Sequence, residues 1–273
     1  MKRTLSRWSV SIQSSFGMAS TGVLWGTVFS ALSAQAADRP HYHLFNRAPE
    51  AELRELSTDR PDKTESPISV DPGYFQIESS LMTLARTADS LELGEVNLKA
   101  GLTPSSDLQV IFVPYIDSGD STGFSDVLLR LKWNITGNDG GDLALALMPY
   151  VNLPVGKEGF SSDHTDFGLI VPMDLDLPGG FSLGAMAQLD VLKDSNDLST
   201  MVTLGHDLVG DLAGYVEFFN TLGDFKTEGW VATLDVGLTY GLTPNLQLDA
   251  GMNIGLTDAA ESLETFAGVS IRL

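Results

Sequence analysis

A short run of alternating charge is the stretch of this sequence best suited to forming ion pairs. Positions 59–65 hold three acids and two bases. The bases of such a run can pair with acids elsewhere in the chain, because a buried ion is stable beside an opposite charge. The charged members, which we treat as candidates for a plug motif, are Asp59, Arg60, Asp62, Lys63 and Glu65.

Serine, aspartate and histidine also occur close together, at Ser161, Ser162, Asp163 and His164. Nucleophilic catalysis needs a base held within hydrogen-bonding distance of the serine hydroxyl. These residues lie in a predicted loop without a rigid spacing between base and nucleophile, and His206 lies beside a turn. The sequence has no GxSxG, P-loop or dinucleotide fingerprint between a strand and a helix. We therefore predict no catalytic residues.

Candidate metal ligands are equally few. His41 and His43 form an i, i+2 pair in a tail, and Asp139 and Asp142 flank two glycines in a turn. Two imidazoles are weak evidence for zinc, and a solvated turn explains the aspartates better than calcium does. The chain has no cysteine, which excludes disulfides, thiolate zinc sites and thiol nucleophiles. We predict no metal and no cofactor.

The overall composition narrows the class of protein. The 273 residues include 36 acids and 16 bases, a net charge of −20, which argues against binding nucleic acid through its phosphates. A hydrophobic content of 43% argues against disorder. After the first 36 residues no long apolar run occurs, which argues against a multi-span helical membrane protein. An acidic soluble domain or a transmembrane β-barrel fits what is left.

Residues 1–36 have the features of a cleaved signal peptide. Lys2, Arg3 and Arg7 form a basic start, an apolar stretch follows, and Ala-Gln-Ala at 34–36 supplies a small-x-small cleavage site. The alternative is an uncleaved membrane anchor, which the glycines and hydroxyl residues of the stretch disfavour. We expect export of the mature chain.

The mature chain divides into two predicted parts. Residues 37–72 are rich in proline and charge and show no sustained alternation, which predicts a short periplasmic N-terminal segment. Residues 73–273 contain strands of roughly ten residues separated by turn-forming sequences. This second part is the predicted barrel.

The predicted strands have one apolar and one polar face. Leu131 and Trp133 share a face, for example, while Arg130 and Lys132 share the other, because successive side chains of a strand point to opposite sides. About twelve strands are predicted. They span residues 73–86, 91–102, 108–116, 125–135, 143–155, 166–177, 181–192, 198–208, 212–221, 230–242, 246–256 and 264–273.

A secreted β-sandwich would show the same alternation, but three features favour a barrel. The strands are long enough to cross a membrane at a tilt, outward aromatic residues lie near strand ends, and the chain stops on a strand resembling the C-terminal recognition strand of outer-membrane proteins. Short turns also alternate with mostly longer links, and an even number of strands places both ends on the periplasmic side. The outward aromatic residues are Phe75, Trp133, Phe181 and Tyr240 on the turn side, and Phe167 and Trp230 on the loop side.

Several motifs resemble one known family. Ser57-Thr-Asp-Arg-Pro-Asp-Lys-Thr-Glu-Ser-Pro67, followed by Gly73-Tyr-Phe-Gln-Ile-Glu78, is similar to the opening motif of the phenol meta-pathway degradation family. The segments 131–134, 204–208 and 241–244 are similar to strand ends and turns of that family. The resemblance covers about 57–273 and implies an outer-membrane transporter for small molecules, including aromatic or hydrophobic ones.

With the apolar faces outward, charged side chains of the strands point into the lumen. One interpretation is a polarised pore that favours cations. The other is a network of ion pairs that fills or closes the interior of a small barrel. The candidate lumen residues are Glu78, Glu95, Lys99, Arg130, Lys132, Asp174, Asp176, Asp190, Glu217, Asp235 and Asp249.

The charged run at 59–65 precedes the first predicted strand. We expect it to enter the periplasmic mouth as a plug, with Arg60 and Lys63 against lumen acids. The alternative is a solvated periplasmic segment. Both remain open at this stage.

The sequence therefore predicts an all-β protein, an antiparallel up-and-down transmembrane barrel of about twelve strands in the bacterial outer membrane. We expect a passive channel or transporter for small molecules. The alternatives are an outer-membrane lipid-modifying enzyme and a structural or adhesive barrel. Expected partners are outer-membrane lipids, the barrel-assembly machinery through the C-terminal strand, and small-molecule solutes, but no nucleic acid.

Overall fold

The computed structural model describes residues 42–86, 90–226 and 229–273. The signal-peptide prediction for 1–36 lies outside these residues. Within them, no helix has the length and apolarity needed to cross a membrane. A single turn of 3-10 helix, Glu50–Glu52, precedes the strands. The strands are β1 Phe75–Ala85, β2 Ser90–Leu93, β3 Glu95–Thr103, β4 Ser106–Phe112, β5 Tyr115–Asp117, β6 Thr122–Gly123, β7 Val127–Thr136, β8 Leu143–Leu153, β9 Asp166–Leu177, β10 Phe181–Val191, β11 Asn196–Val209, β12 Leu212–Gly223, β13 Val231–Thr243, β14 Leu246–Gly255 and β15 Leu263–Arg272.

Twelve of these strands form a closed antiparallel barrel. The order around the barrel is β1, β3, β4 and β7, followed by β8 to β15 in sequence. The last strand, β15, pairs with β1 in a register that sets Gln76 opposite Arg272 and Glu78 opposite Ser270. Closure leaves the barrel without a free strand edge, which a hydrocarbon environment requires. The predicted all-β, up-and-down barrel of about twelve strands is confirmed.

Two of the predicted strands are interrupted in the structure. The strand predicted at 91–102 is broken at Gly94, whose φ of +71° is in the left-handed region. The strand predicted at 108–116 ends at Phe112, and Pro114, which has no N–H to donate, separates it from β5. The short strand β2 pairs with β1, β5 pairs with β2, and β6 pairs with β5. These three strands extend the barrel wall on one side.

The alternation of faces is present in the structure. Trp133 is 54% exposed on the outside, whereas its neighbour Lys132 is 1% exposed. The outer surface is therefore an apolar belt suited to lipid, and the lumen is polar. All of the predicted outward aromatic residues are exposed, namely Phe75, Trp133, Phe167, Phe181, Trp230 and Tyr240.

The two ends of the barrel differ in their connections. Five short connections join β3 to β4, β7 to β8, β9 to β10, β11 to β12 and β13 to β14, and the longest of them is 137–142. We call this end, where β1 also begins and β15 finishes, the short-turn end. The opposite loop end carries mostly longer links, such as 154–165 between β8 and β9, while 192–195 between β10 and β11 is short.

Residues 42–74 pack against the short-turn end before β1 begins. The N–H of Leu44 donates to the Leu102 carbonyl at 3.0 Å. A small apolar cluster holds the segment together, and the Tyr74 hydroxyl donates to the carbonyl of Ala48 at 3.1 Å. The members of this cluster are Ala48, Val70 and Tyr74, with Tyr42 and Leu53 packed on them.

We expect Gly101→Ala to destabilise the fold, because a Cβ at Gly101 would lie 2.0 Å from the Asp71 carbonyl oxygen. Relieving this overlap should cost about 1–3 kcal/mol. The urea midpoint, followed by heat-modifiable gel migration, measures the effect. Gly241→Ala is the matched control, since its nearest heavy atom would be 3.6 Å away. Equal midpoints for the two variants would show that the close approach does not limit stability.

Candidate functional site

The lumen of the barrel contains the chain's own N-terminal segment. We call residues 54–71 the plug segment. At the short-turn end, the Arg54 guanidinium donates to the carbonyl of Pro104 at 2.6 Å and to that of Ser69 at 3.2 Å. Further in, Asp59 is only 8% exposed. The charged run therefore lies inside the barrel, in contact with its wall.

Asp59 is the centre of a buried ion cluster. Its carboxylate lies 2.5 Å from Nζ of Lys99, 2.6 Å from Nζ of Lys132 and 3.3 Å from the Arg130 guanidinium. Its backbone N–H donates to the Glu78 carboxylate at 3.0 Å, and Glu78 in turn pairs with Lys99. One plug carboxylate thus serves three cations from two barrel strands, β3 and β7.

The surroundings of Asp59 keep it ionised. Burial by itself raises the pKa of Asp59, because it removes the carboxylate from water. The positive charges of Lys132, Lys99 and Arg130 together outweigh burial and hold the pKa of Asp59 well below its usual value of 3.8. The cluster is therefore a charged one at neutral pH.

The two bases of the charged run at 59–65 pair with acids on strands β13 and β14. Arg60 donates two hydrogen bonds to Asp249, at 2.7 and 3.3 Å. Nζ of Lys63 lies 2.6 Å from Asp235 and 4.8 Å from the ring centroid of Phe219, a cation–π geometry. Both pairs join the plug to strands near the C-terminus.

Two further glutamates join the plug to the wall, one on each side of the contact. Glu217 on β12 accepts hydrogen bonds from the backbone N–H groups of Lys63 and Thr64, both at 2.9 Å, and from the Thr64 hydroxyl at 2.6 Å. The Glu65 carboxylate pairs with both terminal nitrogens of Arg130, one of them at 2.9 Å. The plug backbone is thereby fixed at several points as well as its side chains.

A second group of ion pairs lies at the short-turn end. Arg54 is 3.2 Å from Asp71 and 2.9 Å from Asp139, which lies in the turn between β7 and β8. Arg272, at the end of β15, lies 3.3 Å from Asp71 and donates to the Asn245 side chain at 2.8 Å. These contacts fasten the entry of the plug segment to two turns and the last strand.

The structure brings together most of the predicted lumen residues. Seven of them are buried and contact the plug segment or its ion cluster, namely Glu78, Lys99, Arg130, Lys132, Glu217, Asp235 and Asp249. The other four form no ion pair with the plug segment in the described residues. Asp190 pairs with Tyr150 away from the plug, and Glu95 begins β3. Asp174 and Asp176 line a cavity of about 500 Å³ at the β7–β8 turn. A pore role for these residues stays a prediction.

Sequence reasoning missed several partners of the plug. Asp107 accepts a hydrogen bond from the Val70 N–H at 2.9 Å, and Gln109 accepts one from Arg130 at 2.7 Å. Both residues lie on either side of the exposed Leu108 in β4. Because successive side chains of a strand point to opposite faces, this alternation could have identified them as lumen residues. Asp71 lies in the proline-rich segment, where no periodicity marks it as buried.

The serine and histidine at the loop end do not form a catalytic pair. The Ser162 hydroxyl lies 2.8 Å from the Asp126 carboxylate and 2.8 Å from the His164 carbonyl oxygen. The His164 ring instead faces Asp166 at 3.5 Å. Across the described ranges, no group of three histidine, aspartate or glutamate side chains is arranged to hold a metal ion.

A closed twelve-stranded antiparallel barrel with an apolar belt and a polar lumen is an outer-membrane β-barrel of the porin type. The family profile described as "Putative MetA-pathway of phenol degradation" matches residues 58–273. The chain belongs to this family, which confirms the resemblance found in the sequence. No curated protein matches the sequence at a significant level.

Solved structures of porins and channels share the fold. The NanC porin is 12% identical with a TM-score of 0.53, over 73% of this chain and 100% of the porin. An outer-membrane channel from Pseudomonas putida F1 is 11% identical with a TM-score of 0.53, over 80% of this chain and 100% of the channel. The KdgM porin is 8% identical with a TM-score of 0.51, over 72% and 98% respectively. At such low identity the similarity is one of fold.

We expect Asp59→Asn to destabilise the barrel strongly. The substitution removes the anion that three cations share and leaves Lys132 without an ion pair in the described residues, and unpairing buried charge costs about 3–5 kcal/mol. The urea midpoint measures the loss. Glu50→Gln is the control, because Glu50 is 78% exposed beside Arg47 and should leave the midpoint unchanged. Identical midpoints for both variants would contradict a structural role of the cluster.

Docking of the plug should also depend on pH through Asp59. The pKa of Asp59 is lowered on docking, so its contribution is present above about pH 3.8 and is lost as the pH falls through the lowered value. Hydrogen–deuterium exchange of the peptide covering 57–67, corrected for intrinsic rates, should show protection from neutral pH to about pH 4 and loss of protection below it. Loss of protection already near neutral pH would contradict this assignment.

Proposed function

We propose that this protein is an outer-membrane channel for the passive passage of small molecules, and that the plug segment restricts its lumen. The observation that carries the proposal is a closed barrel whose interior holds a polar, ion-paired segment of the same chain. A barrel needing only a stable core could fill it with apolar side chains. Membership of a family with porin-type folds supports the same function.

The contacts between the plug segment and the wall are polar, which suits a segment that restricts the passage of polar solutes. Asp59, Arg60 and Lys63 each bind the wall through ion pairs rather than through apolar packing. The net stabilisation from buried ion pairs is small, because the loss of hydration offsets much of their attraction. A segment held in this way can exchange its contacts with the wall for water or for a solute.

Export and assembly are part of the proposal. The predicted signal peptide, residues 1–36, would direct the chain to the periplasm. The strand β15, Leu263–Arg272, would serve as the recognition strand for the barrel-assembly machinery, and the apolar belt would contact outer-membrane lipids. Short turns would face the periplasm, so the plug segment would enter the lumen from that side.

We propose that the protein acts without catalysis. The Ser162 hydroxyl is directed to Asp126 and a carbonyl oxygen rather than to a histidine ring. A lipid-modifying enzyme would need a serine and its base in contact near the membrane boundary. A loss of lipase activity on changing His164 to Ala would reverse this part of the proposal.

Deletion of residues 57–67 should raise single-channel conductance in planar bilayers severalfold, because it removes the part of the plug that crosses the lumen. The matched control is Arg47→Ala, whose side chain is 58% exposed outside the ion cluster. Its conductance should equal that of the wild type.

Unchanged conductance in the deletion variant would contradict the restriction of the lumen by the plug. Absence of conductance in both the wild type and the deletion variant would contradict the channel itself. Correct folding of each variant is checked by heat-modifiable gel migration.

A further inference from the structure

A cavity of about 410 Å³ lies between the plug segment and the wall at the short-turn end. The plug contributes Asp62 and Arg60 to its lining, and the strands β11, β12 and β14 contribute Thr203, Tyr215 and Gln247. The cavity is separate from the Asp59 cluster, which is held by β3 and β7. The lining is polar, with hydroxyls such as those of Thr203 and Tyr215 and carboxylates such as those of Asp62 and Asp176.

The hydroxyl of Tyr215 is the first sign that this cavity binds a ligand. Tyr215 is 8% exposed, and within the described residues its hydroxyl has no hydrogen-bonding partner. The ring lies over Gly237, where a Cβ would be 2.9 Å from the hydroxyl oxygen, so a side chain there would displace it. A buried hydroxyl with no partner is unfavourable, and a bound group can supply the missing hydrogen bond.

Uncompensated negative charge is the second sign. Asp235 and Asp249 are paired with Lys63 and Arg60. Glu217 accepts only from neutral donors, and in the described part of the chain no charged side-chain nitrogen of lysine or arginine lies within 4.0 Å of its carboxylate.

Asp62 likewise has no ion pair among the described residues. Burial, together with the nearby charge of Glu217, raises the pKa of Asp62 well above its usual value of 3.8. Hydrogen bonds from Lys63, Thr64 and Thr203 stabilise the Glu217 carboxylate, but its repulsion with Asp62 remains, and a positive charge near both would relieve it.

We propose that the cavity beside Asp62 and Tyr215 binds an organic ammonium ion. An ammonium group supplies both missing elements, a positive charge for the carboxylates and N–H donors for the hydroxyl oxygen of Tyr215. An anion would meet the excess of carboxylates, and a neutral alcohol would leave their charge uncompensated. Arg60 also lines the cavity, but its guanidinium is engaged by Asp249.

The proposed site would make organic ammonium ions a class of solute for the channel. Its role in transport rests on the proposed channel function. Binding itself does not require transport, because the cavity is formed by the plug and wall in the docked state. The two can therefore be tested separately on the same protein.

Isothermal titration calorimetry of the purified protein in detergent, at neutral pH and low salt, measures binding. The probe is benzylammonium, with benzyl alcohol as its neutral counterpart. We expect benzylammonium to bind at least about tenfold more tightly than the alcohol, since hydrogen bonds to charged groups are the stronger ones.

Two variants test the assigned residues. Asp62→Asn should weaken benzylammonium binding about tenfold or more, and Tyr215→Phe should weaken it about threefold to tenfold. Asp211→Asn is the control, because Asp211 is an exposed acid in the β11–β12 turn at the same end of the barrel. Its affinity should match that of the wild type.

Equal affinity for the two probes, or unchanged affinity in Asp62→Asn, would overturn the proposal. Absence of benzylammonium binding between about pH 6 and pH 9 would also overturn it. Binding without bilayer conductance would contradict the channel function but keep the site. Conductance without binding would contradict the site alone.

Discussion

The burial of charge inside a closed barrel is the constraint on which the rest of this structure depends. An outer belt suited to lipid sends every second side chain into the lumen, among them Lys99, Arg130 and Lys132. Three such cations in a confined interior would oppose folding without an anion near them. Asp59 supplies that anion from the plug segment, so the wall and the plug stabilise each other.

The plug segment combines two kinds of contact with different physical character. At the short-turn end the apolar cluster around Ala48, Val70 and Tyr74 anchors the chain without using charge. Within the lumen the contacts are ion pairs and hydrogen bonds, which water or a polar solute can replace. In the proposed channel this division would let the inner part of the plug move while its anchor remains docked.

Much of the fold could be predicted from the sequence, because alternation is a local property of each strand. The faces of Lys132 and Trp133, and the closure by an even number of strands, follow from residue type and spacing alone. The breaks at Gly94 and Pro114 were missed, although apolar residues change from odd positions to even positions across Gly94. The left-handed φ of Gly94 and the missing N–H of Pro114 accompany the ends of the strands there.

The sequence by itself determined the apolar and polar faces, the approximate number of strands and the presence of a charged run before the first strand. Only the tertiary structure decided which charges meet. Arg60 and Asp249 are 189 positions apart, and their pairing depends on the registers of many strands and on the path of the plug. The same holds for Tyr215, whose missing hydrogen bond is a consequence of neighbours that no local pattern reveals.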